Sequence, residues 1–225
     1  MVNRYWLGCV AALFAIALPG FADDDLAAGK ILVADKKLKD PNFDQTVVYL
    51  ITYDEAGAVG LILNRETDTP VTRVLRGMRE AATRKDFAFS GGPVEEDSVL
   101  ALYRTTTKQK GARQISRDVY AVLDEANLKE VLAAGANADV LRFYTGYAGW
   151  GPGQLDNEVN VGAWTVFSGD AKTVFDADPD TLWDRMNRRK DEQVVRNDLP
   201  KGGMKLRLVK SRNLPHSDKR TDRSW

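Results

Sequence analysis

Thr46-Val47-Val48-Tyr49-Leu50-Ile51-Thr52-Tyr53 runs into Asp54-Glu55-Ala56-Gly57, and Ala58-Val59-Gly60-Leu61-Ile62-Leu63-Asn64 comes straight back. Two β-branched and apolar runs joined by four polar or small residues spell a β-hairpin. Both runs are nearly continuous in apolar residues, where a half-exposed strand would alternate. The hairpin is therefore expected to be covered on both faces.

Upstream, Ile31-Leu32-Val33-Ala34 reads as a short strand and Asp40-Pro41-Asn42-Phe43 as a turn, with Pro fixing φ and Asp and Asn bonding nearby backbone. Downstream, Thr69 suits an N-cap and Pro70 a first helical position, ahead of Val71, Val74, Leu75 and Met78 at helical spacing. Phe87-Ala88-Phe89-Ser90 is a strand running into Gly91-Gly92-Pro93. Residues 99–103, 119–122, 140–147 and 163–168 are further strands. Asp124 caps a helix holding Leu128, Val131 and Leu132 that stops near Gly135. Gly149-Trp150-Gly151-Pro152-Gly153 is a loop, and Asp178-Pro179 opens a helix with Leu182, Trp183 and Met186 on its apolar side. No repeat, heptad or long linker interrupts this order. The elements mix strands and helices without a regular βαβ alternation, so one α+β domain is expected.

The first 22 residues have the build of a secretory leader: a basic start at Arg4, an apolar run to Leu18, a Pro19-Gly20 break, and small residues at Gly20 and Ala22. Cleavage between Ala22 and Asp23 is expected. A retained anchor would need about 20 apolar residues, and this run is shorter. The apolar stretch before Cys9 is likewise too short for a lipoprotein reading. Cys9 is the only cysteine, so residues 23–225 offer no disulfide, no thiol nucleophile and no cysteine metal site. These features point to a periplasmic location. Residues 23–183 carry 18 Lys and Arg against 26 Asp and Glu, whereas 184–225 carry 13 against 6. An acidic domain, residues 23–190, thus bears a basic extension, residues 191–225, expected to be partly disordered, with a possible edge strand at 205–209. The extension reads as a solvated tail or as a weak contact for an anionic surface.

Catalytic signatures are absent from the sequence. His216, the sole histidine, lies in the basic tail, away from any neighbours that would hold a triad base. There is no Gly-x-Ser-x-Gly elbow, no His-Glu-x-x-His and no Walker loop. No catalytic residue, metal ligand or cofactor is expected. A polar set on unusual backbone remains: Asp40, Asn42, Asn64, Arg65, Gln154 and Glu158, with Gly91, Gly92, Pro93 and Trp150. It admits two readings. One is a ligand groove lined by Trp150, with Arg65 and Asn64 as donors and Glu158 or Asp40 as acceptors. The other is a packed corner in which Trp150 fills the core and the polar groups satisfy backbone. Trp164 and Trp183 are expected in the core.

Several segments carry a family resemblance. They are Asp40-Pro41-Asn42-Phe43 with Gly60-Leu61-Ile62-Leu63-Asn64-Arg65, then Gly91-Gly92-Pro93-Val94. The last is Gly146-Tyr147-Ala148-Gly149-Trp150-Gly151-Pro152-Gly153-Gln154-Leu155-Asp156-Asn157-Glu158 followed by Trp164. Their order and spacing resemble the YqgE/AlgH family over roughly residues 30–186. The resemblance implies a branched, partly barrel-like mixed sheet surrounded by helices. It implies no defined activity; one branch carries a label as a transcriptional regulator of alginate synthesis. The chain departs from the pattern in its leader, in Glu66 where the family often has Pro, and beyond Arg189. Three functional expectations follow. The first is an exported, non-catalytic binding or regulatory module with an unknown ligand or envelope partner. The second is a metal-independent hydrolase using Glu158 and Asp40. The third is a cytoplasmic regulator, which export and hence the absence of nucleic acid would exclude.

Overall fold

The computed structural model describes residues 25–122 and 124–198, the last six without their side chains. The leader and the edge strand expected at 205–209 lie outside the described residues. The hairpin forms as read: β2 (Val47–Asp54) pairs antiparallel with β3 (Gly57–Ile62). Its two faces feed two different cores. Val47, Tyr49 and Ile51 point into the first, with Leu61. Val48 and Leu50 point into the second, with Ala58 and Ile62. This period-2 split is why neither strand alternates in polarity.

β1 (Lys30–Ala34) flanks β2 and in turn pairs with β10 (Trp164–Ser168). On the other side β3 pairs with β9 (Leu141–Trp150), which continues to β6 (Val94–Arg104), β8 (Val119–Val122) and β7 (Ala112–Ser116). β9 is the branch point. Its last residues, 148–150, pair with β3, its earlier ones with β6, and Tyr144 and Thr145 also pair in parallel with β5 (Phe87–Ser90). β5 carries β4 (Glu66–Pro70) on its far side. The sheet curls into a half-barrel, and the family expectation of a branched mixed sheet holds.

Five α-helices and one 3-10 turn cover it among the described residues. α2 (Glu125–Ala133) is capped by Asp124, whose carboxylate accepts from Ala126 N, and it gives way at Gly135 with φ 80°. α4 (Ala171–Val174) and α5 (Leu182–Asp198) close the first core with Phe175, Leu182 and Met186. α3 (Gln154–Asn160) closes the second with Leu155. A third core lies under α1 (Val71–Val74) and α2. Each fully buried aliphatic or Phe side chain contributes about 1.5–3 kcal/mol relative to exposure.

Two helix starts differ from the sequence reading. Thr69 and Pro70 end strand β4, and α1 is one turn long. Thr67 explains this: its hydroxyl donates to Ala88 O and ties the segment to β5 before a helix can begin. α5 begins at Leu182, because Asp178 accepts from the Thr181 hydroxyl and Asp176 receives Arg185, which makes 176–181 a cap in place of a first turn. Residues 154–160, left without an element in the sequence, form α3. α5 runs on past residue 190.

Candidate functional site

The turn expected at Asp40 is built and then clamped. Asp40 Oδ1 accepts from Asn42 N at 2.8 Å, and the Asp40 carbonyl accepts from Phe43 N and Asp44 N. Gln45 takes a left-handed φ of 55°, a conformation that needs outside support in a non-glycine residue. That support comes from the end of β3. Asn64 Nδ2 donates to Gln45 O at 2.9 Å, while its Oδ1 accepts from Val47 N at 2.8 Å. Arg65 Nη1 donates to Asn42 O at 2.7 Å, and Nη2 reaches Pro41 O and Asp44 O at 3.4 and 3.3 Å. Burial pulls the Arg65 guanidinium below its ordinary value, with the carboxylates of Asp44 and Asp40 pushing the other way. Both side chains therefore hold main chain in the turn. The side chains of Asp40, Asn42 and Asp44 remain at the surface.

Phe43 points inward and links this turn to the tryptophan corner. Its ring stacks on Trp150 at 5.8 Å and meets Trp164 edge-on at 5.6 Å, and the two indoles meet at 5.9 Å. Trp150 is 5% exposed and Trp164 3%. Both indole N–H groups converge on one atom: Trp150 Nε1 and Trp164 Nε1 donate to Glu158 Oε2 at 2.9 and 2.8 Å. The other oxygen, Oε1, accepts from Gln154 Nε2 at 2.9 Å, and Gln154 Oε1 accepts from Gly151 N. The spacing explains the motif. Gln154 and Glu158 stand one helical turn apart on α3, and Gly153, with φ 68°, turns the chain sharply out of β9 to place that helix under Trp150.

Gly91-Gly92-Pro93 has a different task. It carries the chain from β5 to β6 across the backbone of β9. A Cβ on Gly91 would sit 2.4 Å from Gly146 O, and one on Gly92 would sit 2.2 Å from Tyr147 C. Gly91 N donates to Thr145 O and Ile62 N donates to Gly91 O. The glycines permit a close backbone crossing.

Asn42, Asn64, Arg65, Trp150, Gln154 and Glu158 thus form one contiguous unit joined through Phe43. No hydrogen bond or ion pair joins Asp40 to Glu158 among the described residues. The arrangement has the character of a packed corner, with its acceptors and donors matched. Sequence reasoning gave Phe43 no role; its place after Asp40-Pro41-Asn42 was the available signal. It also passed over Arg142, a buried guanidinium that donates to Val174 O and Asp176 O and lies over Phe89 and Phe175. Asp176 in turn holds Arg185 of α5 with both oxygens, at 2.8 and 2.9 Å.

Fold and corner together describe an α+β half-barrel whose glycine-tryptophan turn is locked by Glu158 on the following helix. The family model described as AlgH-like matches residues 31–194, and the chain belongs to that family, also designated UPF0301. It is 37% identical over 183 residues to a UPF0301 protein of Streptomyces avermitilis, covering 79% of this chain and 94% of that one. It is 32% identical over 166 residues to one of Chlorobaculum tepidum, covering 73% and 87%. Among solved structures, a protein from Corynebacterium diphtheriae superposes with TM-score 0.64 at 23% identity over 76% of this chain and 94% of that one. The AlgH protein from Pseudomonas aeruginosa superposes with TM-score 0.56 at 27% identity, over 84% and 95%. The molecular activity of the family is not established.

Proposed function

We propose that this chain is an exported binding module without catalysis of its own, working in the periplasm and meeting an envelope partner through the turn at residues 40–44. The observation that carries this reading is the clamp: Arg65 and Asn64 hold four backbone carbonyls of the turn while its carboxylates face outward. A rigid backbone presenting exposed Asp40, Asn42 and Asp44 loses little conformational freedom on association. The tryptophan corner supports the turn from beneath. The leader of residues 1–22 supports export. The hydrolase alternative needs Glu158 as its acid, and both of its oxygens already accept hydrogen bonds from three side chains. The regulator alternative needs the chain in the cytoplasm.

Full-length protein in a Gram-negative host, fractionated and weighed intact, is expected as a soluble periplasmic species beginning at Asp23. A photo-crosslinker at Asn42 should then give discrete adducts that weaken when Asp40 and Asp44 are both changed to Asn. A crosslinker at exposed Val161 should give none of them. Identical adducts at both positions, or an uncleaved cytoplasmic chain, would defeat the proposal.

A further inference from the structure

Arg142 is 9% exposed, and among the described residues it forms no ion pair. Its hydrogen bonds go to the carbonyls of Val174 and Asp176, which use two of the five donors of a guanidinium. The Asp176 carboxylate is taken by Arg185 with both oxygens. The faces of Phe89 and Phe175 complete the surroundings of Arg142 and carry no charge. A buried cation is ordinarily paired, because taking a lone charge out of water is costly. Beside it the Tyr144 hydroxyl, two residues along β9, is fully enclosed and has no hydrogen-bond partner. Two unmet polar demands thus meet at one place on the strand.

A pocket opens onto this guanidinium. It holds about 90 Å³ between β4, β5 and the 176–181 cap, and Glu66, Asp86, Phe87, Phe89, Arg142 and Pro179 are among its walls. A single water needs about 10–15 Å³, so the space admits a small molecule. The two carboxylates differ in what they have free. Asp86 accepts from Arg84 with both oxygens. Glu66 is exposed and its carboxylate has no partner among the described residues. Phe87, 42% exposed, brings an apolar ring to the mouth. We propose that this pocket binds a small zwitterion, an α-amino acid about the size of alanine. Its carboxylate meets the spare N–H groups of Arg142, its ammonium meets Glu66, and its side chain lies against Phe87. A planar guanidinium is suited to a carboxylate. A simple anion would also meet the Glu66 charge and a simple cation the Arg142 charge, whereas a molecule carrying both signs suits both groups. The site is separate from the turn at residues 40–44, and it does not depend on export.

The test is a titration of the purified protein with L-alanine and, separately, with acetate, followed by backbone amide chemical shifts. L-alanine should give saturable shifts at Phe87, Phe89 and Arg142, with an affinity about fivefold tighter than that of acetate, the margin being limited by the exposure of Glu66. Glu66→Gln, a surface change, should bring L-alanine down to the level of acetate without weakening acetate. Arg142→Met should abolish both titrations; if that variant does not fold, the Glu66→Gln comparison decides alone. No saturable shifts at these residues, acetate binding as tightly as L-alanine, or an unchanged L-alanine affinity in Glu66→Gln would overturn the proposal.

Discussion

Two polar hubs hold this fold, and they are opposite in charge. At one end Glu158 gathers two indole N–H groups and an amide beneath the turn at residues 40–44. At the other Arg142 gathers the carbonyls of Val174 and Asp176 beneath α4 and α5. The groups they satisfy differ in one respect. The indoles belong to side chains that are almost wholly enclosed, and an indole has a single donor with no alternative partner. The carbonyls lie at the C-terminal end of α4, that of Val174 in a buried bond and that of Asp176 in a part-buried one, and each carbonyl has a second lone pair for another donor. An acceptor shared by two enclosed indoles should therefore be harder to replace than a donor to two main-chain carbonyls.

Glu158→Ala gives the largest expected effect. It leaves two buried indole N–H groups and the Gln154 amide without their acceptor, a loss of about 3–4 kcal/mol in urea unfolding. Tryptophan emission from the folded state should shift to the red as the corner opens. Arg142→Met keeps an apolar stem over Phe89 and Phe175 and costs each of two carbonyls one donor, so about 2 kcal/mol is expected. If the arginine change proves the more damaging of the two, the comparison fails, and the choice of alternative partners does not separate the hubs.

The same contrast governs what could be read in advance. The Glu158 hub announces itself: Gly149-Trp150-Gly151-Pro152-Gly153 is unusual backbone, and Gln154 and Glu158 stand at helical spacing. What the motif could not tell is whether Trp150 faces a ligand or the interior. That depended on Phe43, more than 100 positions upstream, filling the space against it. The hairpin was legible because its two apolar runs have no other stable arrangement. Strand β7 was not: Ala112-Arg113-Gln114-Ile115-Ser116 is half polar, and its place at the sheet edge comes from pairing with β8. α1 was overestimated because Val71, Val74, Leu75 and Met78 keep helical spacing while the backbone around Thr67 is claimed by β5. Arg142 stayed hidden because a single cation in an apolar strand looks the same in sequence whether it faces solvent or core. Its carbonyl partners 32 and 34 residues away decide the matter.

The smallest expected effect tests how the Arg142 hub is fastened to α5. Burial alone would raise the Asp176 carboxyl, but the hydrogen bonds from Arg185 and from Asp178 N, with the charges of Arg185 and Arg142, outweigh it and hold the group below 3.8. A carboxyl depressed in the folded state adds stability above its unfolded value and loses it as pH falls through the folded one. Arg185 is 38% exposed at its side chain, so solvent screening limits the pair to about 0.5–1 kcal/mol. Wild type should thus exceed Asp176→Asn in urea midpoint at pH 7. The gap should stay constant down to about pH 5 and close progressively through 3.8 and below. A gap that persists unchanged to pH 2 would mean that the asparagine fails for reasons other than charge. Arg142 and Arg185 would then be held by the shape of the 176–181 cap and not by the Asp176 charge.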